Sequence, residues 1–405
     1  MFNPSEQALV RSSFPQLEQD RGLIYLDTAA TALRLGSCID RLHGFYRLGN
    51  ATVSRSLYPA AREATAAVHH TRVRLAELLS VPEVEQIVFT RGTTDSINML
   101  ARSIAAQLRV GDEVLVTAQE HHSNLVPWQM ACAQSGASLR ILPLTASGEW
   151  DLEQLQEQLR PSCKLVACSL VSNVLGIRNP VERLVEAAHS VGARVVCDAA
   201  QAVATHKIRW SELGVDALAF SAHKLFGPTG VGTLIGDLGW LDSLPPPAGG
   251  GDMVDEVWLE GATYAALPHR WEAGTPAIAE IIAWSEAIDW IMGMGPERIG
   301  AHCRMLVREL IPILEQMGFV ILEACHQARA VVSCVHPRAH AADIATLLGL
   351  KGVAVRSGHL CAQPLLRHLG YRQLLRFSFG PYTTSQCLLA ACHELESAVE
   401  VVQQG

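Results

Sequence analysis

Several features are missing from this 405-residue sequence. No apolar run reaches the roughly 18 residues that a membrane-spanning helix needs. The longest approach to one, residues 277–295, is interrupted by Glu280, Glu286 and Asp289 and reads as an amphipathic helix packed against another element. There is no block of basic residues and the net charge is −8, which argues against nucleic acid as a partner. The opening "MFNPSEQALVRSSFP" has no basic region followed by an apolar stretch, so no signal peptide is read and a cytoplasmic location is expected. Eleven cysteines are scattered without one C-x-x-C pair, which argues against a zinc ribbon or a thioredoxin-type redox pair and for free thiols in a reducing compartment. No internal repeat or low-complexity tail occurs.

What is present is a buried globular composition, 49% hydrophobic and 18% charged, on a chain long enough for two domains. Between 86 and 236, strand-like runs alternate with amphipathic stretches: 86–90, 112–118, 139–144, 164–170, 193–199, 216–221 and 230–236. This alternation predicts an α/β domain with a mostly parallel sheet, whose ligands bind at the carboxyl ends of the strands. A Gly/Pro-rich stretch over 244–257 marks a break. Beyond it, two long helical patterns, strands over 328–335, 353–356 and 375–380, and a terminal helix from about 384 predict a smaller α+β domain. The expected division is 1–20 as a segment joining the small domain, 21–264 as the large domain, and 265–405 as the small one.

The residues after each predicted strand form a set. "RGTTDSIN" follows the first and offers hydroxyls and N–H groups at a helix start, which suits a phosphate or an ordinary N-cap. His121 and His122, then Asn173, then Asp198 and Gln201, then Ser221, His223 and Lys224 follow later strands. A buried carboxylate opposite a lysine, beside a phosphate cradle, fits pyridoxal 5'-phosphate, which needs a lysine for its aldehyde and an acid for its ring nitrogen. A plain Asp–Lys ion pair is the competing reading. "GPTGVG" lacks the Lys-Ser/Thr of a P-loop. Most cysteines, such as Cys168 and Cys197, sit in strand-like runs as small hydrophobes. Cys361 instead lies in the loop "RSGHLCAQPLL", where reactive groups are often placed.

"YLDTAATAL", "RGTTDSIN", "EHHSNLVPWQ", "VSNVLG", "CDAAQAV", "AFSAHKLFGPTGVG", "GGGDMV", "WEAGTP" and "RSGHLCAQPLL", in this order over nearly the whole chain, resemble the cysteine desulfurases. These are class V members of the fold-type I pyridoxal-phosphate enzymes. The likeness is greatest to the group-II, SufS/CsdA type, and "FNPSEQALVRSSFPQL" leans toward the CsdA branch. The resemblance implies that Lys224 holds the cofactor, Asp198 pairs with its ring nitrogen, Gln201 bonds its ring hydroxyl and His121 stacks on the ring. It implies a phosphate site of Thr93, Thr94, Ser221 and His223, completed by Thr275 from the second subunit of a homodimer. Asn173, Arg376, Arg356 and Ala29 would bind the substrate, and Cys361 would be the nucleophile. The implied substrate is L-cysteine, with L-selenocysteine and cysteine sulfinate as further candidates, and the implied partner is a SufE/CsdE-like sulfur acceptor. Iron–sulfur cluster assembly and tRNA thiolation are both open as sinks for the sulfur. No metal is expected. Ala199 and Ala222 stand where the family has Gly, Ser54 where it has His, and Leu360 where a His precedes the cysteine; the last two bear on proton transfer and thiolate activation. A selenocysteine lyase, a kynureninase-like hydrolase, an aminotransferase and a non-enzymatic relic of the fold are the other readings.

Overall fold

The computed structural model describes residues 2–17, 22–54 and 56–404. The expected boundary between residues 20 and 21 lies outside them. A seven-stranded sheet forms the centre, in the order Ile87–Thr90, Gly232–Gly236, Ala217–Ser221, Arg194–Asp198, Cys163–Ser169, Glu113–Thr117, Ser138–Leu142. Its central strands are buried on both faces, so their sequences are near-continuous apolar runs. The two-residue period still sorts them. Val195, Cys197, Leu218 and Phe220 enter one core, and Val196, Ala217 and Ala219 enter the other. Helix Val181–Ser190 covers the first core, and helices Thr93–Ala105 and Val126–Ser135 cover the second.

One strand breaks the parallel pattern. Gly232–Gly236 runs antiparallel to both neighbours. Only residues 222–231 separate it from the preceding strand, too few for a helical crossover, so the chain turns back on itself.

A second, four-stranded antiparallel sheet has the order Val320–Ile321, Val331–Val335, Leu374–Ser378, Arg356–Gly358. The predicted strand over 353–356 is divided: Val353–Ala354 pairs with Ile24–Tyr25, and Arg356–Gly358 joins the four-stranded sheet. The stretch read as a break over 244–257 runs into a strand, Val254–Trp258, which forms a hairpin with Gly261–Tyr264. Both strands are mostly exposed, so they carry no one-sided apolar alternation to read. Helix Ile278–Met294 packs on Gly36–Gly44 and Pro59–Leu79, as its apolar face requires. Among the described residues no helix is long and apolar enough to cross a membrane.

Candidate functional site

The carboxyl ends of the parallel strands open into a cavity of about 450 Å³. Thr93, Thr94, His121, Asn173, Asp198, Gln201, Ser221, His223 and Lys224 line it from the large sheet, Ala29 from the N-terminal region, and Arg356, Cys361 and Arg376 from the second sheet and its loop. These residues are far apart in sequence. The sheet order gathers the large-sheet set, because each lies at or just after the end of a strand that points the same way, and the second sheet and its loop add Arg356, Cys361 and Arg376.

One end suits a phosphate. Helix Thr93–Ala105 begins after Gly92, whose φ of +143° an L side chain rarely adopts; a Cβ there would stand 3.1 Å from Ser221 Oγ. Ser221 Oγ accepts from the Thr93 N–H at 2.8 Å and lies 2.7 Å from Thr93 Oγ1, and Thr94 Oγ1 lies 2.7 Å from Ser123 Oγ. Hydroxyls and N–H groups at the positive end of a 13-residue helix favour an anion. The missing Cβ of Gly92 keeps the approach open.

The floor holds Asp198 and Lys224. Asp198 ends the strand Arg194–Asp198 and accepts the Ala200 N–H at 2.8 Å. Burial pushes its pKa up, and the Lys224 charge pulls it back. Burial pushes Lys224 down, and Asp198 opposes the shift. Each thus stabilises the other's charged form in a site that disfavours both. His121 is pushed down to about 3, first by burial and then by Lys224, so its ring is neutral; its Nδ1 accepts the Ser123 N–H at 3.1 Å. His223 is pushed down to about 4 by burial, Lys224 and Arg34, and its Nδ1 lies 3.1 Å from Thr31 Oγ1. Gln201 donates to the Ala29 carbonyl at 2.7 Å and keeps its side-chain oxygen for another partner.

Arg376 rises from the strand Leu374–Ser378. Its Nη1 donates to the Asn173 carbonyl at 2.9 Å, and its buried Nε finds no partner among the described residues. The Asn173 side chain in turn donates to the Leu360 carbonyl at 2.8 Å. Cys361 sits in the turn between strand Arg356–Gly358 and helix Gln363–His368. Leu360 and Cys361 both have left-handed backbones, φ +52° and +54°, a strained pair for non-glycine residues. Bonds on several sides hold the turn: His122 N–H to the Cys361 carbonyl at 2.7 Å, Cys361 N–H to His359 Nδ1 at 3.2 Å, and Gln363 N–H to His122 Nε2 at 3.3 Å.

Thr275 is not brought to this cavity. It lines a separate one with Arg91, Asp95 and Arg102. Ser54 lies in a further cavity with Thr65 and His69. Leu360 is buried, as are Ala199 and Ala222.

Three participants were not assigned from sequence. Asp27 bridges Arg356 and Arg376. His122, noted only as a strand-end residue, straps the Cys361 turn. Glu120, next to His121 in the chain and pushed up to about 8 by burial, gathers Thr117, Ser169 and Asn124. The available signal was a lone carboxylate beside apolar runs, which must find donors when buried.

A fold of this type with a lysine and a buried aspartate at the strand ends around one cavity defines a class of enzymes. The chain matches the class-V aminotransferase family over residues 24–388, and it belongs to that family, whose enzymes depend on pyridoxal phosphate. The particular relatives are cysteine desulfurases. That of Enterobacter sp. (strain 638) is 40% identical over 382 residues, covering 93% of this chain and 94% of that protein. The crystal structure of the cysteine desulfurase CsdA of Escherichia coli, in an S-sulfonic acid form, superposes with a TM-score of 0.92 at 37% identity, covering 99% of this chain and 100% of that one. The apo structure of a cysteine desulfurase from Thermococcus onnurineus NA1 gives 0.92 at 31% identity, covering 99% of each.

Proposed function

We propose that the protein is a pyridoxal-phosphate-dependent cysteine desulfurase that converts L-cysteine to L-alanine and leaves the sulfur as a persulfide on Cys361. The observation that carries this reading is one cavity lined by buried Asp198, half-buried Lys224 and Cys361, the exposed one among the cysteines. The residues fit the cofactor. The Gly92–Thr94 turn, Ser221 and His223 would hold its phosphate, Asp198 its ring nitrogen, Gln201 its ring hydroxyl, His121 its face, and Lys224 its aldehyde. Bound there, it supplies the electron sink that carbanion chemistry at Cα requires.

The chain's own groups do the rest. Arg376, with Asn173, Arg356 and the Ala29 region, takes the substrate carboxylate. The Nε–H of Arg376 is a donor with no acceptor among the described residues. Lys224, an amine whose pKa burial lowers, lines the same cavity and would accept the Cα proton. The thiolate of Cys361 attacks the substrate sulfur: an S–S bond forms, the C–S bond breaks and its electron pair stays on carbon; a proton added at Cβ and the proton held by Lys224, returned to Cα, complete alanine. Because Cys361 is exposed, a thiol of a SufE/CsdE-like acceptor protein could then reach the persulfide. A homodimer would bring Thr275 of a second copy to the phosphate, and eleven unpaired cysteines accord with a reducing, cytoplasmic setting.

The deciding experiment incubates the protein with L-cysteine, quantifies alanine, and maps added sulfur by mass spectrometry. The expected mass gain of one sulfur lies on the peptide containing Cys361. Alanine without any persulfide would turn the reading toward a selenocysteine lyase or another class V enzyme.

A further inference from the structure

Cys361 enters the cavity from the turn between strand Arg356–Gly358 and helix Gln363–His368, whereas Lys224 and Asp198 enter it from the large sheet. The thiol therefore stands where contacts between these two parts place it. Among the described residues, three hydrogen bonds run from the large-sheet side to residues 360–363. One is the Asn173 side chain donating to the Leu360 carbonyl at 2.8 Å. The other two belong to His122, in the short turn His122–Asn124 that follows His121. Its backbone N–H donates to the Cys361 carbonyl at 2.7 Å, and its ring Nε2 accepts the Gln363 N–H at 3.3 Å.

The first of these bonds is open to almost any residue, but the second needs this ring. The His359 ring lies 5.7 Å from it, centroid to centroid, and His359 Nδ1 accepts the Cys361 N–H at 3.2 Å. A ring nitrogen accepts a hydrogen bond only when it carries no proton. Burial, and then the neighbouring His359, lowers the His122 pKa and favours that form. The turn needs such holding, because Leu360 and Cys361, at φ +52° and +54°, keep a left-handed backbone that non-glycine residues adopt only where their surroundings impose it. His122 is not among the residues that line the cavity, so its ring acts through the turn and not on the reacting atoms.

We propose that His122 is a positioning residue for the sulfur-transfer step: through the Gln363 N–H, its imidazole holds the Cys361 turn where the thiolate can attack the substrate sulfur. This rests on the desulfurase reading above. Such a role is selective. Forming the S–S bond needs the thiol in line and close, and a misplacement of about 1 Å can cost about a hundredfold in rate. Loss of selenide from L-selenocysteine needs the thiol less, because selenide is the readier leaving group.

The test uses the holoenzymes of wild type, His122→Leu, His122→Asn and His122→Gln. It measures the single-turnover rate of persulfide formation on Cys361 from L-cysteine, by mass spectrometry of quenched protein, and the rate of alanine release from L-selenocysteine. Leucine removes the acceptor, asparagine is too short to bring its oxygen to the Nε2 position, and glutamine reaches it. Persulfide formation should slow on the order of ten- to a hundredfold in His122→Leu and His122→Asn, and alanine release from L-selenocysteine by less than about threefold. His122→Gln should recover most of the persulfide rate. Equal losses on the two substrates would make His122 a general support of the fold and overturn the proposal. A wild-type persulfide rate in His122→Leu and His122→Asn would overturn it as well, and so would a glutamine variant no faster than the asparagine one. That last comparison decides alone should His122→Leu not fold. If wild type does not turn over L-selenocysteine, the L-cysteine concentration giving half the maximal rate replaces that arm: it should stay within about twofold of wild type, and a rise matching the loss of rate would overturn the proposal. Wild type that forms no persulfide on Cys361 would reject the desulfurase reading itself, and the proposal with it.

Discussion

Burial separates the thiols of this protein. Cys38, Cys303 and Cys325 are pushed up to about 12, and Cys163 and Cys392 to about 11, so they stay protonated at neutral pH and unreactive as nucleophiles. Cys361 alone is exposed. Cys361→Ser should therefore lose nearly all alanine production from L-cysteine and form no persulfide, while keeping the yellow colour of the bound cofactor. Selenide leaves more readily than thiolate, so the same variant should keep a substantial part of any selenocysteine lyase activity. Unchanged alanine production would make Cys361 a bystander. At the other side of the cavity, Arg376→Ala should raise KM for L-cysteine strongly, since losing the buried bidentate partner of a carboxylate costs roughly 2–5 kcal/mol. The cofactor should remain bound. A variant that loses the cofactor, yet whose residual holoenzyme binds cysteine normally, would recast Arg376 as a structural residue.

The elements matter chiefly through their ends. The strand Ile87–Thr90 delivers its chain to Gly92, where the helix Thr93–Ala105 starts with its N–H groups facing Ser221. Gly92→Ala forces a side chain into a backbone conformation that costs about 1–3 kcal/mol and brings the new methyl close to Ser221 Oγ. Cofactor retention on dialysis, followed by absorbance, should weaken by roughly tenfold or more. Wild-type retention would show that this turn does not hold the phosphate. The Cys361 turn is a second case. Its two left-handed residues persist because His122, His359 and Asn173 bond it from several sides, which fixes the thiol without closing it off from solvent.

At the scale of the whole molecule, Thr275 points to assembly. It lies in a cavity apart from the lysine–aspartate site of its own chain, so the proposed phosphate role needs a second copy. Sedimentation should show a dimer, and Thr275→Ala should weaken cofactor retention without changing the sedimentation. A fully active monomer at assay concentration would refute this arrangement. Stability should also depend on pH. Burial lowers His121 to about 3 and His206 and His223 to about 4, below the ordinary 6.5. The unfolded chain then binds more protons than the folded one, so the stability these groups give is lost as pH falls below about 6.5. Glu120, raised to about 8, acts in the opposite sense between 4.5 and 8, one group against three. Tm should fall between about pH 7 and about pH 5, and His206→Gln, outside the cavity, should lessen the fall. A flat profile across that range would mean that these histidines take up protons in the folded protein.

The central strands of the large sheet were legible because a run buried on both faces is apolar whatever lies beside it, and each ended within a residue or two of its expected position. The strand-end residues, Asp198 and Lys224 above all, were legible because charge after an apolar strand needs a partner. Other features depended on distant parts of the chain. The reversal at Gly232–Gly236 follows from a connection too short to cross over, and the hairpin of 254–264 has no buried face to leave a pattern. Asp27 stood in a quoted motif, yet its place between Arg356 and Arg376 arises only when residues more than three hundred positions away fold onto it. Local sequence determines which segments are strands and which side chains are reactive, because burial and backbone preference act over a few residues. Which charge meets which is decided by tertiary packing, because an ion pair is set by distance in space and leaves no spacing along the chain to read.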